Sequence, residues 1–417
     1  MLSGCLLYFL VILAMHNVHA VLPPCVDTLT RLDRNSLIEH YFHLGFDYSE
    51  ILGFLLLCHG IQISLRQLKR ILSSNGLFRR RAYSSPRQVI TAVERELRGS
   101  GSLLGYRQMH QRLRCQYRFT VDRESVRLIL QSLDPDGVEK RSRPRLRRRQ
   151  YHSKGPNYIW HIDGYDKLKP YGFCVHGAID GYSRRIMWLE VSRSNNNPRL
   201  IASYFLDCVK ELVGVPRIIR GDQGTENVNV AAIQRFFRYD DQADFAGEKS
   251  FLYGRSVSNQ RIEAWWGFLR RSDTEWWINF FKDLKDQGLY NETDLFQVEC
   301  LLFCFMPVLQ DELRRVVQEW NLHKIRPSSN ESSPPGRPET LYFLPELTST
   351  SSYLNNIKAI DIDVAEDVCC ESPDTDVPDS FAELAQIIMD EKGLEMPSSP
   401  QSALNLYLEL LSSIEDI

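Results

Sequence analysis

Between Tyr158 and Val191 three short apolar stretches follow one another with only glycine- and aspartate-containing turns between them, and this spacing restricts the chain more than any other feature. Trp160 to Asp163 reads as the end of an apolar strand. GFCVHGAID (172–180) and RRIMWLEV (184–191) then alternate in the two-residue period of β-strands, with Asp180-Gly181 in the turn that joins them. The three predict a meander. Arg199 to Val213 carries helical spacing and stops at Gly214, Val215 to Arg220 makes a fourth short strand, and a long helical pattern begins near Ser258.

Three acids stand on these elements. Asp163 in WHIDGYDKL closes the first strand, Asp222 in IIRGDQGTEN lies just beyond the fourth, and Glu263 in SNQRIEAWWGFLRR sits inside the helix. Two strand-borne aspartates and a helix-borne glutamate, gathered by a fold, can hold a pair of divalent ions about 3.5–4 Å apart, activating a nucleophile and stabilising a leaving oxygen at one phosphorus. Taken singly, each has a plain structural explanation: a turn, an Asx-turn before Gly224, a solvated helix position. Asp166, Asp180 and Glu226 read as structural acids, Asp180 in its hairpin and Glu226 at a helix start. His161 reads as a core or supporting residue, and Trp265, Trp266 and Phe268 as core.

These pieces resemble the integrase core of retroviruses and retroelements and the related DDE transposases, which share a ribonuclease H-like fold. The tryptophan three residues before the first aspartate, the IDGYSR hairpin, the GDQGTEN loop and the NQRIEAWW helix carry the resemblance, over roughly residues 156–286. The gap from Asp222 to Glu263 is longer than in retroviral integrases, so residues 240–250 read as a lengthened loop. The resemblance implies a mixed five-stranded sheet and in-line attack on phosphodiesters by water and then by a 3′-hydroxyl. It implies Asp163, Asp222 and Glu263 as catalytic residues and as ligands of two Mg²⁺, or Mn²⁺ in their place. DNA is the implied partner, and a homo-oligomer the implied active form. None of the ten cysteines forms a Cys-x-x-Cys or a zinc-finger spacing, so no zinc site is predicted and the zinc-bound amino-terminal module of retroviral integrases is missing. Cys300 and Cys304, one helical turn apart, read as buried thiols, a pattern that suits a reducing compartment.

The net charge of −3 conceals a division. Residues 346–417 hold sixteen Asp and Glu against two Lys, which leaves the preceding part of the chain at +11, basic enough to meet a polyanion. Asn35 to Leu44 reads as a helix, SEILGFLLLCHG as a second capped by Ser49, and SLRQLKRILSSNG as a third capped by Ser64 and stopped by Gly76. As a helix-turn-helix, the last of these would present Arg66, Gln67, Lys69 and Arg70 away from Leu65, Leu68, Ile71 and Leu72. FRRR (78–81) follows directly and favours DNA over a plain helical bundle. A second pair, GYRQMHQRLR and DRESVRLILQSL with Asp122 as its cap, repeats the layout, and the resemblance extends weakly to a bipartite recognition region over 35–135. Eight Lys or Arg between Lys140 and Lys154, Arg147, Arg148 and Arg149 among them, make a linker suited to a phosphate backbone or to nuclear import.

Further helices fit Leu295 to Phe305 and Val308 to His323. Residues 328–338, rich in Ser, Pro and Gly, read as the end of the ordered body. Beyond Pro345 the acidic tail reads as mostly disordered, with short helices over 380–389 and 402–414 that could bind a protein partner or fold back on the basic body. The apolar run Leu6 to Ala14 precedes a cleavage-like Val18-His19-Ala20, but the first basic residue is Arg31 and the run is too short to span a bilayer. No membrane association is expected. The predicted layout is a signal-like or simple extension (1–29), an all-α bipartite helix-turn-helix region (30–138), a basic linker (139–155), an α/β ribonuclease H-like integrase core with a helical extension (156–345) and the tail (346–417). The leading expectation is a nuclear, metal-dependent enzyme that cuts and joins DNA strands. The alternatives are a catalytically silent, host-adapted DNA-binding or scaffold protein and, on the amino-terminal run alone, a secreted hydrolase.

Overall fold

A computed structural model describes residues 32–79, 83–141, 151–239, 244–254, 259–327, 334–369 and 379–415. Most of the basic linker, including Arg147, Arg148 and Arg149, lies outside the described residues, as does the amino-terminal apolar run. Alternation along β1 (Ile159–Tyr165) decides how the core is built: Trp160 and Ile162 enter one apolar cluster, while Tyr165 enters another on the opposite face, the face that Asp163 shares. β1 pairs antiparallel with β2 (Cys174–Asp180), which pairs antiparallel with β3 (Ile186–Ser192). On its other edge β1 runs parallel to β5 (Ile218–Gly221), and β5 parallel to β6 (Phe251–Tyr253), giving the order β3-β2-β1-β5-β6. This is the mixed five-stranded sheet of a ribonuclease H-like core. Its last strand, three residues long, has too little alternation to be placed from sequence.

Helices cover both faces. On the Trp160 side lie α8 (Pro198–Leu212), α9 (Val228–Phe237), the short α13 (Pro338–Phe343) and, from the tail, α14 (Ala359–Cys369). The Tyr165 side is covered by α10 (Gln260–Leu269), α11 (Glu275–Asp286), α12 (Leu295–Leu322), α15 (Asp379–Lys392) and α16 (Pro400–Glu415). Helix α12 runs unbroken through Pro307, where sequence reading stops one helix and starts another. The missing N–H costs one hydrogen bond, and burial of Phe305, Met306, Val308 and Leu309 around it offsets that loss. Cys300 and Cys304 are buried there as free thiols.

The disordered tail is corrected over its described residues. Tail residues 355–356 form β7, which pairs with β4 (Gly214–Val215), and Phe381, Ala385, Ile388, Met389, Ala403, Leu406, Tyr407 and Leu410 join the core cluster on the Tyr165 face. Net charge misleads here because the acids lie outward while apolar residues at helical spacing supply a buried stripe. Among the described residues no helix is long and apolar enough to cross a membrane.

Two helical units precede the sheet. The first holds α1 (Arg34–His43), α2 (Tyr48–Leu57) and α3 (Leu65–Ser74) around Tyr41, Phe46, Phe54 and Leu68. Asp47, not Ser49, occupies the N-cap of α2, with its N–H donating to the Glu50 carboxylate at 2.6 Å. Ser64 caps α3, in a reciprocal box with Gln67. The second unit adds α4 (Pro86–Leu97), absent from the sequence reading, to α5 (Tyr106–Cys115) and α6 (Arg123–Leu133), with the short α7 (Pro135–Arg141) after them. Its run Val89-Ile90-Thr91 is a poor helix former, and packing of Val89, Ala92 and Val93 against Met109 and Val126 overrides that propensity.

Candidate active site

Three different elements bring the acids together. Asp163 projects from the central strand β1, opposite Gly177 of β2. Asp222 follows the last residue of β5, and Glu263 lies in the first turn of α10. A β-carbon on Gly177 would sit 3.0 Å from the Trp266 ring, so glycine there lets the indole lie against the sheet. Trp266 Nε1 thereby donates to Asp163 Oδ2 at 2.9 Å. Burial pushes the Asp163 carboxyl up to about 7; the Trp266 N–H opposes this, while the charges of Glu263 and Asp222 reinforce it.

The start of α10 is fixed to the strand by Asn259. Its Nδ2 donates to the Ile162 carbonyl at 2.8 Å, and its Oδ1 lies 2.7 Å from His161 Nδ1. The other ring nitrogen of His161 meets the Tyr151 hydroxyl at 2.7 Å. Burial holds this histidine down to about 3, so it stays neutral and orients its neighbours, the supporting role read from sequence. On the Asp222 side, Asn227 Nδ2 donates to Asp222 Oδ1 at 2.9 Å and reaches Glu226 Oε1 at 3.2 Å. Burial, Asp222 and Asp166 all raise the Glu226 carboxyl. Glu226, read as a helix-start acid, therefore stands at the rim of the same negative region. Asn227, Asn259 and the indole of Trp266 carry no such signal by residue type, although the three-residue spacing of Glu263 and Trp266 places them on one helix face.

Asp180 has the hairpin role expected of it. Fully buried, it accepts from Asn157 N at 2.7 Å, Ser183 N at 2.8 Å, Ser183 Oγ at 2.7 Å and Tyr182 N at 3.1 Å. On α3, Arg66, Lys69 and Arg70 are exposed as predicted, but Gln67 is engaged in the helix cap and Leu65 is 44% exposed instead of buried.

The donor set of the three acids fits hard divalent cations, being all oxygen, with burial first and the charges of Glu263 and Asp222 after it raising the Asp163 carboxyl. Among the described residues no three His, Cys, Asp or Glu side chains stand in ligating geometry, so the acids share an electrostatic field without converging on one point. Glu263 is exposed and has room to move. No curated protein matches the chain. Residues 150–352 match the family model described as an integrase core domain, a span that holds β1 to β6 and all three acids. With this sheet order and these acids at its centre, residues 150–352 form an integrase core domain of the integrase and DDE transposase kind.

Proposed function

We propose that this protein cuts and joins DNA strands as a metal-dependent polynucleotidyl transferase, with Asp163, Asp222 and Glu263 as its catalytic residues. What supports this reading is three acids carried by β1, the end of β5 and the first turn of α10, with Glu263 and Asp222 adding to the effect of burial on Asp163. Two Mg²⁺, or Mn²⁺, when bound, would activate the attacking oxygen and offset charge on the leaving one. Asp163 from β1, Asp222 from the loop just after β5 and Glu263 from α10 would hold the ions. Trp266 fixes one oxygen of Asp163, while Asn227 and Asn259 set the positions of Asp222 and of the helix start. Arg66, Lys69 and Arg70, with the linker's Arg147, Arg148 and Arg149, supply phosphate contacts; the linker also directs the protein to the nucleus. Two DNA ends call for a homo-oligomer.

The test is nicking and joining of labelled duplex ends in Mg²⁺ by the wild type and by Asp163→Asn, Asp222→Asn and Glu263→Gln, with thermal melts alongside. Each variant should lose strand cutting while its Tm in metal-free buffer holds or rises, because one of three facing charges is gone. An active wild type that loses nothing on Asp222→Asn overturns the triad. If the wild type is inert on every end and metal tried, the host-adapted binding protein becomes the better account.

A further inference from the structure

The turn between α1 and α2 gathers more positive charge than the fold neutralises. Gly45 there has φ +85°, and a β-carbon on it would lie 3.2–3.3 Å from the guanidinium of Arg114 at the end of α5. Arg79, just after α3, donates to the Phe46 carbonyl of the same turn, and Arg337 donates to the Gly45 carbonyl at 2.8 Å. Guanidinium groups from three distant parts of the chain thus meet around one turn. Two acids nearby are paired, Glu50 with Arg337 at 3.0 Å and Asp47 with Lys324 at 2.9 Å, while Glu39 lies 3.6 Å from His43, an imidazole that burial holds toward its neutral form. Among the described residues no carboxylate pairs with Arg114, nor with Arg118 or Arg123, whose charges reach the same region from beyond α5. Burial, Arg79, Arg337 and Arg123 together depress Arg114 to about 10.

A half-buried guanidinium among its own kind is held at an electrostatic cost, which an anion would remove. Phosphate oxygens match the guanidinium fork. The seam is also continuous with the exposed cations of α3, because Lys69 and Arg79 approach the same Tyr48 ring, 5.8 and 5.0 Å from its centroid. We propose that the seam between the two helical units, centred on Arg114, binds a backbone phosphate of duplex DNA, so that both units grip one continuous duplex. This rests on the DNA-processing function proposed above. The two units are therefore one recognition surface, and Arg114, which sequence reading placed in a helix without a role, is its joint.

The full chain is titrated with a labelled DNA duplex across a range of salt, as wild type, as Arg114→Gln, and as Arg314→Gln, a control for lost charge whose arginine already pairs with Asp311. Arg114→Gln should weaken binding on the order of tenfold and flatten the slope of log K against log salt by about 0.9, the share of one phosphate, while Arg314→Gln does neither. In low-salt melts without anion, Arg114→Gln should match or exceed the wild-type Tm, since repulsion is relieved. Added inorganic phosphate should stabilise only the wild type. A wild type that binds duplex, with Arg114→Gln unchanged in affinity and slope, overturns the seam and leaves the DNA-processing reading intact. No duplex binding by the wild type at any salt removes both. Stabilisation by inorganic phosphate through Arg114 without duplex binding assigns the seam to free phosphate and overturns the duplex as its ligand.

Discussion

The indole of Trp266 has two duties that one substitution can separate. Its ring packs in the core over Gly177, and its N–H supports the ionised form of Asp163 at 2.9 Å. Trp266→Phe keeps most of the packing and removes the donor. Activity should fall about 10- to 100-fold, the range found when a partner of a metal ligand is lost. The acid limb of the pH–rate profile should move to higher pH, because the carboxylate loses a hydrogen bond that opposes its protonation. A lower Tm with an unmoved acid limb would reduce Trp266 to a packing residue. The elements that carry the three acids, β1, β5 and α10, were legible in the sequence because each acid stands in a distinctive local string. Asn259 and Asn227 were not, since an amide's role depends on which backbone group or carboxylate the fold brings to it, as Ile162 O and Asp222 show.

Where α10 ends, residues Arg270–Thr274 continue as a π-turn before α11, and this turn buries Asp273 completely. Around Asp273 lie Glu312 and Glu319 of α12 and Arg112 of α5, which is paired with Glu96 of α4 at 2.9 Å and with Glu319 at 2.7 Å. Arg315 adds a partner to Glu312 at 2.9 Å. The helix that carries Glu263 is thereby tied to the second helical unit through a buried cluster in which carboxyls outnumber cations. Burial and Glu312 raise the Asp273 carboxyl well above its ordinary 3.8, and burial raises Glu319. The folded state therefore keeps a proton that the unfolded chain gives up near pH 4, and stability declines as the pH rises from there. Asp273→Asn, neutral at every pH, should gain on the wild type progressively as the pH rises above about 4. Parallel melts across that range check it; parallel curves with no pH-dependent gap would reject it. At this scale the sequence was readable where local chemistry decides, as in the Ser64–Gln67 box. It misled where tertiary packing overrides a local signal, as at Pro307 and along Val89-Ile90-Thr91.

For the molecule as a whole, the tail is the part whose meaning changes most. Its charge suggests an appendage, but eight of its apolar side chains are buried in the core cluster on the sheet's Tyr165 side, with α16 packed on α12, and the Tyr407 hydroxyl donates to the Leu289 carbonyl at 2.8 Å. Burial of each large apolar side chain is worth about 1.5–3 kcal/mol. Truncation after residue 378 should therefore lower the Tm sharply and expose dye-binding apolar surface, where an autoinhibitory flap would leave the Tm unchanged and tighten DNA binding. Melts and dye fluorescence of the truncated chain separate the two. The same arrangement constrains how the protein is made. The strands β1 to β6 are complete once Tyr253 has been added, yet α12, which packs on β3, ends only at Leu322, and α16, which covers its outer side, ends at Glu415. At about 5–20 residues per second, the apolar side of α12 waits roughly 5–20 seconds for that cover. Through that interval the new chain presents an apolar helix face, and the yield of folded protein should fall wherever self-association outpaces the arrival of α16.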